Sequence, residues 1–260
     1  MIVEPDHDDP ECANVMIDAT IAGRPYRFVL DTGSPRTHVV ADDFTTTLVK
    51  RGAHASSGVF SSTSNPLVTL PELRVGSAVQ GSIEAVLVDP SQSGVHNLLG
   101  MDVLKNYSWH FRFDTETLII ETAQSSDGMR PLTMDSVSHP YVDLSWQNAI
   151  ARCVWDSGAG ITVVDRAFWS SHPGMFHESG TSLPTDANGL QVEVPTFVMA
   201  EVEMGGALFA PHKVAVVDLS QANAELDRPM DFLLGYTTLN QANWLFDFPA
   251  KQWRVIRHRL

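Results

Sequence analysis

Apolar and polar positions alternate along this chain in short runs, with few of the three-and-four spacings that mark helices. From Asn14 to Ala22 the residues read Asn-Val-Met-Ile-Asp-Ala-Thr-Ile-Ala; Gly23-Arg-Pro follows as a turn, and Tyr26-Arg-Phe-Val-Leu continues the pattern. This is a hairpin signal. Val68 to Val75 and Ile83 to Val88 read as further strands, with Gly76 near the turn between them. Helical patterning is weak and brief, confined to Ala41–Lys50, Met101–Asn106, Arg166–Ser171 and Tyr236–Ala242. The expected fold class is therefore all-β, mainly strands with a few short helices.

The chain also repeats itself. Asp31-Thr32-Gly33-Ser34 and Asp156-Ser157-Gly158-Ala159 stand 125 residues apart, each after an apolar run, Phe28-Val29-Leu30 or Cys153-Val154-Trp155. Leu73 to Asp89 then lines up without a gap on Val202 to Asp218, Leu98-Leu99-Gly100 returns as Leu233-Leu234-Gly235, and Phe113-Asp114 returns as Phe246-Asp247. Features recurring in one order at nearly constant offset mark a duplication. The seam falls in the polar, Gly- and Pro-containing stretch Gln124 to Pro131. Two similar lobes are expected, residues 1–124 and 132–260, joined by a linker at 125–131.

Composition narrows the function. The 260 residues are 43% hydrophobic and 18% charged, a globular balance, and 17 Lys plus Arg against 31 Asp plus Glu leave a net charge of −14. Such a charge repels phosphate backbones and anionic lipid, so nucleic acid is not an expected partner. No run approaches the ~20 apolar residues of a membrane span. The start is acidic where a secretory signal would be basic, so a cytoplasmic location is expected, or a periplasmic or secreted one if a signal has been trimmed. Cys12 and Cys153 show no paired metal or redox spacing and read as reduced thiols. No His-Glu-x-x-His, Gly-x-Ser-x-Gly or phosphate-cradling glycine motif occurs, so neither a metal nor a nucleotide cofactor is expected.

A lone Asp-Thr-Gly is most simply a turn, because Asp accepts hydrogen bonds from the backbone just ahead of it and glycine suits the bend. Two copies, each leaving an apolar strand and each followed by Leu-Leu-Gly, point elsewhere. The sequence resembles the aspartic protease clan, whose lobes each carry apolar-apolar-Asp-Thr/Ser-Gly-Ser/Thr/Ala and a later apolar-apolar-Gly. The resemblance spans about Val15 to Ile256. It implies two lobes of the acid-protease barrel fold around a cleft, with Asp31 and Asp156 as the catalytic carboxylates sharing one proton. It further implies that Thr32 and Ser157 hydrogen-bond across the lobes, and that Gly33 and Gly158 let backbone N–H groups approach the carboxylates. Leu99-Gly100 and Leu234-Gly235 correspond to the strands passing behind the two loops. Ser34 can hydrogen-bond its aspartate and Ala159 cannot, so Asp31 is expected to be the more readily ionised member.

Each half has the length of a single retropepsin-like subunit, so the chain resembles two such units in tandem, a monomer with both aspartates in cis. Peptide or unfolded protein is then the expected substrate. Gly52–Pro66 and Gly180–Gly189 are candidate flaps. Trp155 departs from the small or aliphatic residue expected before the second aspartate and reads as packed core. The acidic residues from Glu4 to Glu11 and the basic ones from Lys251 to Arg259 read as solvated rather than mutually paired. Rival readings are a peptide-binding scaffold that has lost turnover and, more remotely, a glycosidase, which would leave the Leu-Leu-Gly duplication without a role.

Overall fold

The computed structural model describes residues 1–59, 61–92, 94–121, 127–185 and 189–256. In the first half a hairpin, Ala13–Ile21 with Arg24–Leu30, carries the chain to Asp31. Its tight turn is Ala22-Gly23, both with positive φ (49° and 79°), rather than the Gly23-Arg-Pro expected, because Arg24 and Pro25 already pair with Ile21 and Thr20. The end of the second strand is buried on both faces: Phe28 and Leu30 enter the main core, while Val29 packs with Met16 and Leu98. That explains why Phe28-Val29-Leu30 is an unbroken apolar run and not an alternating one.

The second half repeats this plan. Pro140–Trp146 and Ala149–Trp155 form the hairpin that leads to Asp156. Cys153 and Trp155 face the main core, and Val154 packs with Tyr141 and Leu233. Behind each hairpin a short strand runs parallel to its last residues, Leu98–Leu99 beside Val29 and Leu30, and Phe232–Leu234 beside Cys153 to Trp155. One helical turn follows each, Met101–Leu104 and Tyr236–Leu239. His38–Val40 pairs in parallel with Val86 to Val88, as Thr162–Asp165 does with Val214 to Val217.

The halves are joined by a third sheet ordered Thr117–Glu121, Ser108–Arg112, Asn243–Asp247, Gln252–Ile256 and Arg130–Pro131. At its centre Trp109 pairs with Phe246 and Phe111 with Trp244. Strands from both halves thus share one ladder, and one continuous buried cluster runs from Val15 to Trp253. The expected linker begins inside residues 122–126, which lie outside the described residues; its end, Arg130–Pro131, is an edge strand of this shared sheet.

The all-β reading holds, and so do three of the expected helices, at Met101, Arg166 and Tyr236. Ala41–Lys50 is corrected: it contains one 3-10 turn, Thr45–Thr47, and Lys50 already begins a strand. The Asp42 carboxylate takes the backbone N–H groups of Phe44 and Thr45 (2.9 and 2.6 Å), a local competitor that favours a turn over a helix. A further short helix, Ser220–Ala224, had no periodic signal.

Candidate active site

The two tetrads meet between the lobes. Each aspartate is anchored from behind by its parallel strand, Asp31 N–H donating to Leu99 O (3.0 Å) and Asp156 N–H to Leu234 O (2.9 Å). The loops then interlock. Thr32 Oγ1 donates to Trp155 O (2.8 Å) and Ser157 Oγ to Leu30 O (2.6 Å), while Thr32 N–H donates to Ser157 Oγ and Ser157 N–H to Thr32 Oγ1. The hydroxyls therefore hold the opposite lobe's backbone, all in buried surroundings where an unmade bond is costly.

Gly33 and Gly158 lie against the opposite carboxyl groups, Gly33 against Asp156 and Gly158 against Asp31. Gly33 N–H donates to Asp156 Oδ1 (3.0 Å), which also accepts from Gly158 N–H (2.8 Å). Gly100 and Gly235 are equally constrained, since a Cβ would strike the backbone carbonyls of Arg36 and Ile161. Next to them Met101 N–H donates to Ser34 O and Tyr236 N–H to Ala159 O, both at 2.8 Å.

The sequence reading overlooked another matched pair. Thr37 and Thr162, at the same offset of 125, accept the N–H of Gly100 and Gly235 through their hydroxyls (3.3 and 3.0 Å). Asp102 receives Thr37 in the first lobe, and Thr237 and Thr238 receive Thr162 in the second. Aligning the halves a few residues beyond the tetrads would have found both threonines. His139, donating to Gly33 O, had no such signal, because the matching position in the first half is the exposed Asn14.

The Asp31 and Asp156 carboxyl groups are brought together, each against the glycine of the other lobe's tetrad, and each residue is only 7% exposed. Burial, followed by the charge of Asp156, pushes Asp31 well above the usual carboxylate range. Burial also raises Asp156, opposed by the N–H groups of Gly158 and Gly33. This corrects the expectation that Ser34 makes Asp31 the readier to ionise. The Ser34 hydroxyl turns away to Arg36 O (2.8 Å), leaving only its backbone N–H on Asp31 Oδ1 (2.8 Å). Asp156 Oδ1 takes two N–H donors, one from each lobe.

Trp155 is fully buried and packs its ring on Phe111, Phe246 and Trp244, with centroids 4.8, 4.6 and 5.6 Å away. It is core, as expected. Of the candidate flaps, Gly52–Pro66 is the end of a hairpin formed by Lys50–Ser57 and Ser62–Val75. Near its tip Val59 packs against a cluster containing Ala159, Ile161 and Leu233 of the other lobe; Phe60 lies outside the described residues. Gly180–Gly189 begins in the strand Phe176–Ser182, and 186–188 lie outside the described residues. Glu4, Asp6 and Asp8 of the acidic start are exposed, as expected, but the end of the segment is paired. Asp9 and Glu11 pair with Lys213 of the second lobe at 2.9 and 2.6 Å, because Cys12 and Ala13 run beside that lobe.

The fold is two-lobed, all-β and aspartic protease-like. Residues 17–106 match the family described as gag-polyprotein putative aspartyl protease, so the resemblance drawn from the repeated tetrads holds. Among solved structures, conglutin gamma, a basic 7S globulin from lupine seeds, superposes with a TM-score of 0.60 over 98% of this chain and 94% of its own. At 8% identity that likeness is one of fold. No curated protein matches the chain. Among the described residues no helix is long and apolar enough to cross a membrane.

Proposed function

We propose that the protein is an aspartic endopeptidase in which Asp31 and Asp156 activate a water for attack on a peptide bond. The observation that carries this reading is the meeting of two buried carboxyls, each seated against the other lobe's glycine. Two carboxylates that close cannot both ionise, so one proton is shared over a broad pH range. The ionised member, Asp156, takes a proton from the water as general base; the protonated member, Asp31, donates to the carbonyl oxygen as the tetrahedral adduct forms. Proton transfer to the leaving nitrogen completes cleavage, with no covalent intermediate and no metal.

Thr32, Ser157, Gly33 and Gly158 fix the carboxyls; Ser34 and Ala159 shape the following turns; Leu99-Gly100 and Leu234-Gly235 support the loops from behind. Both aspartates come from one chain, which supports activity as a monomer. The hairpin ending at Val59 is the better flap of the two, since it already reaches across to the second lobe. An extended peptide added between hairpin and loops as a further strand is the fitting substrate.

The test is digestion of a denatured protein mixture at several pH values by wild type, Asp31→Asn and Asp156→Asn. Cleavage by wild type alone supports the enzyme. Wild-type binding of the same peptides without cleavage at any pH replaces it with a peptide-binding scaffold.

A further inference from the structure

His139 stands just before the strand Pro140–Trp146, buried to 9% exposure, and reaches from the second lobe into the first. Its Nε2 lies 3.0 Å from Gly33 O, and its Nδ1 lies 2.7 Å from Asp135 Oδ2. A carbonyl can only accept, so by elimination Nε2 is the donor. On the other side Asp135 is wholly enclosed and accepts the N–H groups of Val137 and His139 on Oδ1. Burial pushes the Asp135 carboxyl up, but the hydrogen bond and charge of His139 outweigh it and hold it below the usual range. The Asp135 carboxylate at Nδ1 thus holds the ring with Nε2 turned to Gly33 O.

The carbonyl of Gly33 belongs to the same peptide unit as the N–H of Ser34, the group that donates to Asp31 Oδ1 at 2.8 Å. A strong donor on one end of an amide polarises it and strengthens the donor at the other end. The chain Asp135, His139, Gly33–Ser34 peptide, Asp31 is therefore continuous in hydrogen bonds, and His139 also faces the charge of Asp156. Its matching position, Asn14, is exposed and lies in the ladder opposite Glu4, so the device exists on one side only.

We propose that His139, held by Asp135, is a positioning residue that polarises the Gly33–Ser34 peptide toward Asp31 and sets how readily the paired carboxyls release their protons. This rests on the protease reading for its purpose but not for its measurement. Other titratable or charged groups around the pair are Tyr141, whose hydroxyl lies 3.5 Å from Asp135 and donates to Arg228 O, together with Asp227, which receives Ser136 N–H, and Arg228 itself. None of them contacts Gly33 O.

Carbon-13 NMR titration of labelled aspartates, with Asp31 and Asp156 assigned by their Asn variants, reads the pair without turnover. In His139→Leu both midpoints should rise by about half a pH unit, from loss of the buried donor to Gly33 O. His139→Gln, whose amide N–H can still donate to the carbonyl, should rise less, and Asp135→Asn should also rise. In a cleavage assay the pH window should move up with kcat affected and KM unchanged. Folded His139→Leu titrating as wild type overturns the proposal, as does a Gln variant shifted as far as Leu. Should His139→Leu not fold, Asp135→Asn decides: a rise supports the proposal and wild-type midpoints overturn it. Shifted midpoints in a protein that cleaves nothing reject the protease reading alone.

Discussion

Gly158 stands so close to Asp31 that a Cβ on the glycine would lie 2.6 Å from Oδ1 and 2.9 Å from Oδ2 of the carboxyl. Real Cβ atoms do not approach so near, and Asp31 is held on its other side by Leu99 and Ser34. Gly158→Ala must push the two carboxyls apart. We expect at least a hundredfold loss of cleavage and a destabilisation of about 1–3 kcal/mol, the usual cost of overpacking. Thermal unfolding and peptide hydrolysis measured on the same sample check both; an active Gly158→Ala protein contradicts the geometry.

The carboxyl pair also sets a pH dependence of stability. Burial raises both groups in the folded state, so above the ordinary carboxylate value near 3.8 the native protein binds more protons than the unfolded chain. Stability then falls as pH rises from that value through the folded-state range of the pair. Asp31→Asn removes the raised group and should flatten this fall. Urea unfolding from pH 4 to 7 reads the slope in each, and equal slopes would refute the assignment.

Ser34→Ala should leave the acidic limb of the cleavage profile in place. The hydroxyl bonds Arg36 O, while the bond to Asp31 comes from the backbone and survives the substitution. A limb shifted upward would show that the hydroxyl reaches the carboxyl after all.

Two buried tryptophans should respond differently to Phe. Trp244 Nε1 donates to Leu239 O at 2.8 Å, as Trp109 does to Leu104 O, whereas Trp155 Nε1 is buried with no partner among the described residues. Both Phe variants lose packing, but Trp244→Phe also removes a buried hydrogen bond, leaving Leu239 O with only the longer one from Ala242 N–H (3.4 Å). Its cost should exceed that of Trp155→Phe by about 1 kcal/mol in denaturant unfolding.

Cys12 and Cys153 are buried, and burial, then the charge of Asp9, pushes the Cys12 thiol up to about 12. Little thiolate forms at pH 8, so a disulfide reagent should label neither cysteine in the native protein and both in urea. Rapid native labelling would place Cys12 in a more open setting.

The first hairpin, the apolar run before each aspartate and the recurring Leu-Leu-Gly were legible in the chain itself, because they depend on local pattern. An apolar run such as Phe28-Val29-Leu30 announces a strand covered on both faces, and the residue after it must emerge at the strand's end. Ala41–Lys50 misled because one carboxylate, Asp42, outbid the helix for backbone N–H groups over a single turn.

What the sequence alone determined is therefore the mainly β character of the chain and the recurrence of its Asp-Thr/Ser-Gly and Leu-Leu-Gly motifs. Only the tertiary structure decided that the Ser34 hydroxyl points away, that Lys213 holds Asp9 and Glu11, and that His139 grips Gly33. The last two of these contacts join residues far apart along the chain and break the symmetry of the repeat. Neither hydrophobic period nor motif spacing encodes them, since each arises only where two lobes, folded by the same local rules, are pressed together.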